Sequence, residues 1–205
     1  MPSISDTAYP RLKSNPTAKE PTRLYTPTSE EIELASRVTT TPVTRLNFLV
    51  MLKTCQRLGY GVSLCDVPAR IIRHIVTSAQ LSTTQANLRQ YDGSATRRRH
   101  QSIIREYLQI KAFAQGGQAA MLSALEQAVE TKHDLVDLIN IGIEELVRQR
   151  YELPGFTTLE GTARRVRKQK TEHHYHQVYE ALTPEERRQL DSLLSVPSQR
   201  VTGNG

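Results

Sequence analysis

From Thr41 to Gly59 the chain reads as one helix without a side broad enough for water. Leu46, Phe48, Leu49, Val50, Leu52, Cys55 and Leu58 point in nearly every direction around its axis. Such a helix has to be buried all round, so other helices must surround it. Thr41 with Pro42 opens it and Gly59 stops it. From residue 24 onward the apolar spacing stays helical, and no alternating run is long enough for a sheet. The expected fold class is all-α.

Start and stop signals divide the rest. Thr28 and Glu31 form a capping-box pair ahead of Ile32, Leu34 and Ala35. Asp66, with Pro68 in the first turn, opens a helix striped by Ile71, Ile72, Ile75, Val76 and Ala79. Ser82 with Gln85 opens a short helix to Leu88 or Tyr91, and Asp92-Gly93 is a turn. An arginine-rich helix then packs through Ile103, Ile104, Tyr107 and Leu108. Past Gly116-Gly117 a helix covers 119–131, and another runs from Asp134 to Arg150 with Leu135, Leu138, Ile139, Ile143, Leu146 and Val147 inward. Leu153-Pro154-Gly155 breaks it; Thr157 with Glu160 opens a long helix to Leu182, and Thr183-Pro184 opens the last, through Leu190, Leu193 and Leu194. The implied organisation is a disordered 1–23, a first helical module over 24–115, a second over 116–195, and a disordered tail over 196–205.

Charge narrows the partner. Lys and Arg outnumber Asp and Glu by 27 to 21, for a net charge of +6 and a pI near 9.5, which favours a polyanion. Only 5% of residues are aromatic and Trp is absent, so a stacking platform for single-stranded RNA is missing and duplex DNA is the better fit. No apolar run reaches the roughly 18 residues of a membrane span, and no signal-peptide pattern opens the chain. A cytoplasmic, nucleoid-associated bacterial protein is expected. Cys55 and Cys65 lack metal-ligand spacing and read as two buried thiols in a reducing compartment.

The positive charge is clustered on two helices, each following a helix and a turn, as in a helix-turn-helix reader of DNA. In the second cluster, Arg164 to Lys170, five of seven residues are basic. Leu159, Ala163 and Val166 form an anchoring stripe; Arg164, Arg167, Lys168 and Thr171 form a neighbouring one, with Arg165 between them as a phosphate contact. Acids for i,i+4 pairing are missing by this reading, which leaves the cations, Lys170 included, free for DNA. In the first cluster Arg97, Arg98 and Arg99 spread over about 200° of helix. Arg97, Arg98, Gln101 and Arg105 share the side opposite Ile103 and Ile104. The first choices for groove contact are Arg164, Arg167 and Lys168 in the second module, and Arg97, Arg98 and Gln101 in the first. A solvated basic face is the alternative for both clusters.

Little points to catalysis or to a cofactor. His173 and His176 are one helical turn apart, but only Glu172 and Glu180 stand near them, so a solvated face is the simpler reading. Asp134 and Asp137 read as negative charge at a helix N-terminus. The chain carries no nucleophile motif and no Gly-rich phosphate loop.

In order, the residues resemble the N-terminal region of Tn-three-family replicative transposases over about 24–195. The resemblance is carried by Leu24-Tyr25-Thr26, Arg45-Leu46-Asn47-Phe48, Leu52-Lys53, Gln56-Arg57-Leu58-Gly59-Tyr60, Val67-Pro68 with Ile72, His74 and Ile75, and Tyr91. It continues through Arg99-His100, Ile104 to Leu108, Glu144-Glu145-Leu146, Leu153-Pro154, Thr158-Leu159-Glu160, and Leu182-Thr183-Pro184 with Leu190-Asp191 and Leu193-Leu194. Asn47 and Gly61 stand where the family pattern has a glycine and an aromatic. The resemblance implies recognition of transposon terminal inverted repeats as duplex DNA through tandem helix-turn-helix modules. In the family the magnesium-binding Asp-Asp-Glu catalytic domain lies far downstream, so a sequence ending at Gly205 reads as a non-catalytic truncated or fragmentary transposase. Full-length transposase or a second copy of the chain are the implied protein partners. The rival readings are a truncated regulator of transposition and a helical protein-interaction module.

Overall fold

The computed structural model describes residues 3–14, 17, 19–82 and 88–194. The Ser82–Gln85 start signal and the tail 196–205 fall outside the described residues. Among the described residues ten α-helices follow one another: α1 (Glu20–Leu24), α2 (Ser29–Val38), α3 (Pro42–Leu58), α4 (Ala69–Ser78), α5 (Leu88–Asp92), α6 (Ala95–Leu108), α7 (Gly117–Ala128), α8 (Leu135–Arg148), α9 (Phe156–Ala181) and α10 (Pro184–Leu194). Among the described residues the single β feature is a parallel bridge between Lys111 and Tyr151. The fold is all-α.

Helix α3 is the axis of a first core. Every residue from Leu46 to Cys55 is buried; α2, α4 and α6 pack on it, and Tyr91 of α5 joins the same core. Its Thr41 cap is reciprocal with Thr44, and Gly59 ends it in the left-handed region at φ 76°, where a glycine avoids the Cβ penalty. On α2 the Thr28–Glu31 box forms as expected. Glu31 is also buried, and it accepts hydrogen bonds from Lys53 and Gln56 of α3.

A second core gathers α7, α8 and the first half of α9 around Met121, Leu125, Leu138, Ile143, Leu146, Leu159 and Ala163. Asp134 caps α8 by accepting from the backbone N–H groups of Val136 and Asp137. The two cores are joined at a seam. There the Lys111 N–H donates to the Arg150 carbonyl, Glu152 N–H to the Lys111 carbonyl, and Leu153 N–H to the Gly59 carbonyl.

Several local expectations are corrected. The start of the chain is not wholly disordered: Tyr9 is buried in the second core, its ring 5.1 Å from Tyr60 and 5.7 Å from Phe156, and its hydroxyl donates to the Pro154 carbonyl. Asp66 does not cap α4. It closes a short 3-10 turn, and Pro68, which cannot donate, takes the N-cap place. Thr157 and Glu160 form no capping box, because α9 begins earlier, after Gly155, with Phe156 packed on Tyr9. Val147 is 58% exposed, on the flank of the stripe formed by Ile139, Ile143 and Leu146. Cys65 is exposed; only Cys55 is buried, and that burial pushes its thiol up to about 12.

His100 of α6 is fully buried against Phe48, and Tyr91 is hydrogen-bonded to its Nδ1 at 2.7 Å. Its Nε2 has no partner. Burial, helped by the neighbouring Arg99 charge, holds the imidazole down to about 4. An unfolded histidine takes its proton near pH 6.5. Between 6.5 and 4 the unfolded chain therefore binds a proton that the folded chain refuses, and stability falls as pH drops through that window. Thermal melts should show a falling Tm from pH 6.5 to 5 and a plateau above 7, and His100→Gln should flatten the slope. An unchanged slope in that variant would refute this assignment.

Candidate nucleic-acid interface

Ser94 caps α6 by accepting from the Arg97 N–H, which sets the phase of the arginine cluster. Arg97, Gln101 and Arg105, four residues apart, lie on one face, and that face turns inward. The Arg97 guanidinium sits 3.2 Å from Asp92 and donates to the Val62 carbonyl. Gln101 and Arg105 donate to the two carboxylate oxygens of Glu152, at 2.9 and 3.1 Å, across the seam. Asp92 is itself held by Ser63 and by the N–H groups of Leu64 and Cys65, and these contacts keep its carboxyl below the usual range. Arg99 is exposed and reaches the Val38 carbonyl at 3.2 Å. Arg98 is exposed, on the outward face with Ser102.

On α9 the buried face is Leu159, Thr162, Ala163 and Val166. The expected absence of pairing acids is corrected. Arg164 pairs with Glu160 at 2.5 Å, Lys168 lies 3.6 Å from Glu172, and Lys170 reaches Glu130 of the α7–α8 connection at 2.6 Å. Arg167 donates to the His133 carbonyl at 3.4 Å. The outermost stripe is Thr158, Gly161, Arg165 and Lys168, all exposed. Among the described residues the Arg165 side chain has neither a hydrogen bond nor an ion pair. The structure thus puts Arg165 at the centre of the exposed stripe and Arg164 and Arg167 at its edges, the reverse of their expected ranking.

Gly161 had no place in the sequence reading. A Cβ there would meet nothing within 4 Å, so no internal packing demands a glycine. Glycine in a helix interior costs about 1 kcal/mol relative to alanine. The signal was a helix-interior glycine one turn before a cation, which becomes informative only once the helix phase is known.

Beyond Val166 no residue of α9 is buried, and α10 is tied to the last turn of α9. Arg187 stacks 5.1 Å from the Tyr179 ring and donates to the Tyr179 and Glu180 carbonyls. His173, His174 and His176 lie on this exposed half, with His176 3.3 Å from Glu180. No three His, Cys, Asp or Glu side chains among the described residues are grouped to hold a metal ion. No helix among them is long and apolar enough to cross a membrane.

A family model described as a domain of unknown function, DUF4158, matches residues 1–166. The chain belongs to that family. The DUF4158 span takes in both cores and stops at Val166, the last buried residue of α9. It also includes the N-terminal segment around Tyr9 and the outward stripe as far as Arg165. No curated protein matches the chain.

Proposed function

We propose that this chain binds duplex DNA, with the first half of α9 as the groove helix, and that its site is a transposon terminal inverted repeat. The transposase resemblance supplies the second part. The carrying observation for the first is Arg165, an exposed guanidinium without a protein partner on a helix whose opposite face is locked into a core. Arg presents a rigid fork of donors that fits guanine edges and phosphates. Thr158 and Gly161 on the same stripe present little bulk, so a duplex can approach the helix closely. Arg164, Arg167 and Lys170, held by their own partners, flank the contact as pre-positioned charge.

The test is binding of the purified chain to the terminal repeat of its own element and to a scrambled duplex, at about 50 and 200 mM salt. A protein touching about 6–10 phosphates loses roughly 10³–10⁵ in affinity over that range. Arg165→Ala should cost about 1–3 kcal/mol on the terminal repeat if the side chain reads a base, with a smaller loss on the scrambled duplex. Equal losses would make it a phosphate contact. Full retention of binding would remove α9 from the interface.

A protein-interaction module is the second reading, and the distal half of α9 with α10 favours it. Tyr175 is 69% and Leu193 72% exposed, with Val178 and Leu190 beside them in exposed positions. Weak duplex binding without sequence preference would move the assignment to this surface.

A further inference from the structure

Five cations converge beside the first core, in a place no motif marks. Lys13, Lys19, Arg23 and Arg57 line an open cleft of about 540 Å³ between the N-terminal segment, α1 and the last turn of α3. Arg11 lines an adjoining hollow that shares Lys13 and Arg57 and reaches down to Leu24, Tyr25 and Ile71. Glu20 is the one acid in either lining. It is already committed: one oxygen lies 2.5 Å from the Lys13 Nζ, and the other accepts from the Thr17 N–H at 2.7 Å. Among the described residues the side chains of Arg11, Lys19, Arg23 and Arg57 make no hydrogen bond and no ion pair.

Like charges gathered in one hollow repel one another, so the arrangement needs a reason. Helix ends give part of one. Arg23 and Arg57 stand in the last turns of α1 and α3, where a cation is stabilised by the helix dipole. That gain does nothing for Arg11, Lys13 or Lys19. A polyanion accounts for the convergence. The cleft is open along its length, and all five cations are exposed, so nothing encloses a single small anion. An open row of cations suits a row of phosphates, which Arg and Lys engage through charge-assisted hydrogen bonds.

We propose that this cleft is a second DNA-contact surface, holding backbone phosphates of a duplex without reading its sequence. It rests on the DNA-binding reading above. The test is the full chain carrying Arg23→Glu and Arg57→Glu, titrated with the terminal-repeat and scrambled duplexes between about 50 and 200 mM salt. Each phosphate contact contributes about 0.9 to the slope of log K against log salt, so losing two should flatten that slope by about 1.8. Affinity for both duplexes should fall by one common factor, leaving their ratio unchanged, and Tm should fall only slightly, because both side chains are exposed and only a helix-end charge is lost. The neutral pair Arg23→Gln and Arg57→Gln should flatten the slope equally, and it gives the answer if charge reversal disturbs folding. Wild-type affinity and slope in the variants would overturn the cleft while leaving α9 in place. A loss confined to the terminal repeat would also overturn it, since a phosphate contact cannot tell the two duplexes apart. Failure of the wild-type chain to bind either duplex would instead overturn the DNA reading, and this proposal with it.

Discussion

Lys53→Met is expected to cost about 3–5 kcal/mol of stability, because it strands a carboxylate inside the first core. Glu31 is only 2% exposed, and both its oxygens lie within 3.2 Å of the Lys53 ammonium. Methionine fills the volume of the lysine stem but offers no charge. Gln56 and the Thr28 N–H remain as donors, yet neither balances a full negative charge at that depth. For a chain of this length the loss corresponds to a Tm lower by roughly 6–20 °C, measurable by calorimetry. The double variant Glu31→Met/Lys53→Met should recover most of the loss, since apolar replacement of both partners removes the desolvation cost. It should still fall short of wild type by about 1 kcal/mol, because Glu31 also closes the α2 capping box. A Lys53→Met chain within 1 kcal/mol of wild type would show that the pair does not support the core.

This pair illustrates what could be read in advance. The capping role of Glu31 is local, set by its three-residue spacing from Thr28, and was legible. Its partnership with Lys53 spans 22 residues and two helices, and nothing local encodes it. The same division runs through the fold. Helix α3 was legible because an all-round apolar helix has one possible place, the centre. Caps at Thr28 and Thr41 were legible because each satisfies the backbone of its own helix; Asp134 read only as charge at a helix start and proves to be the cap itself. The N-terminal segment was not legible: its composition is that of a disordered tail, and its order comes from Tyr9 packing on Tyr60 and Phe156, far away in sequence. That same contact carries the start of α9 past the anticipated Thr157 cap.

For the candidate interface the sequence located the cations but not their commitments. Spacing alone put Arg97, Arg98, Gln101 and Arg105 on one side and assigned it to DNA; the structure keeps Arg97, Gln101 and Arg105 together facing inward and turns Arg98 outward. The deciding fact was where Asp92, Val62 and Glu152 would lie, which depends on how the cores meet. On α9 the anchoring stripe was legible, whereas the order among Arg164, Arg165 and Arg167 depended on acids at Glu160 and Glu130 and on the exact phase of the buried face. The cleft at Lys19, Arg23 and Arg57 left no trace, since Arg57 lies 34 residues beyond Arg23 and only the fold brings the segments together.

Glu152→Ala should separate a structural from a DNA-reading role for the first arginine cluster. Glu152 is buried at the seam, and its carboxylate receives Gln101 on one oxygen and Arg105 on the other. Removing it leaves a guanidinium in a partly buried place without its counter-charge. A hydrogen bond to a charged group contributes about 1.5–3 kcal/mol, and water can reach part of the Arg105 side chain, so a loss of about 2–3 kcal/mol in denaturant unfolding is expected. Arg105→Ala should cost a similar amount, and the double variant much less than the two together, because both single changes break one interaction. The DNA measurements then decide the role. If Arg105 and Gln101 only tie the cores, Arg105→Ala leaves the ratio of terminal-repeat to scrambled affinity unchanged. If they read bases, Arg105→Ala lowers that ratio, while Glu152→Ala, by releasing both side chains, raises the affinity for the terminal repeat. The geometry favours the first outcome, since a side chain cannot both hold Glu152 at 3.1 Å and reach a groove on the outside of the molecule.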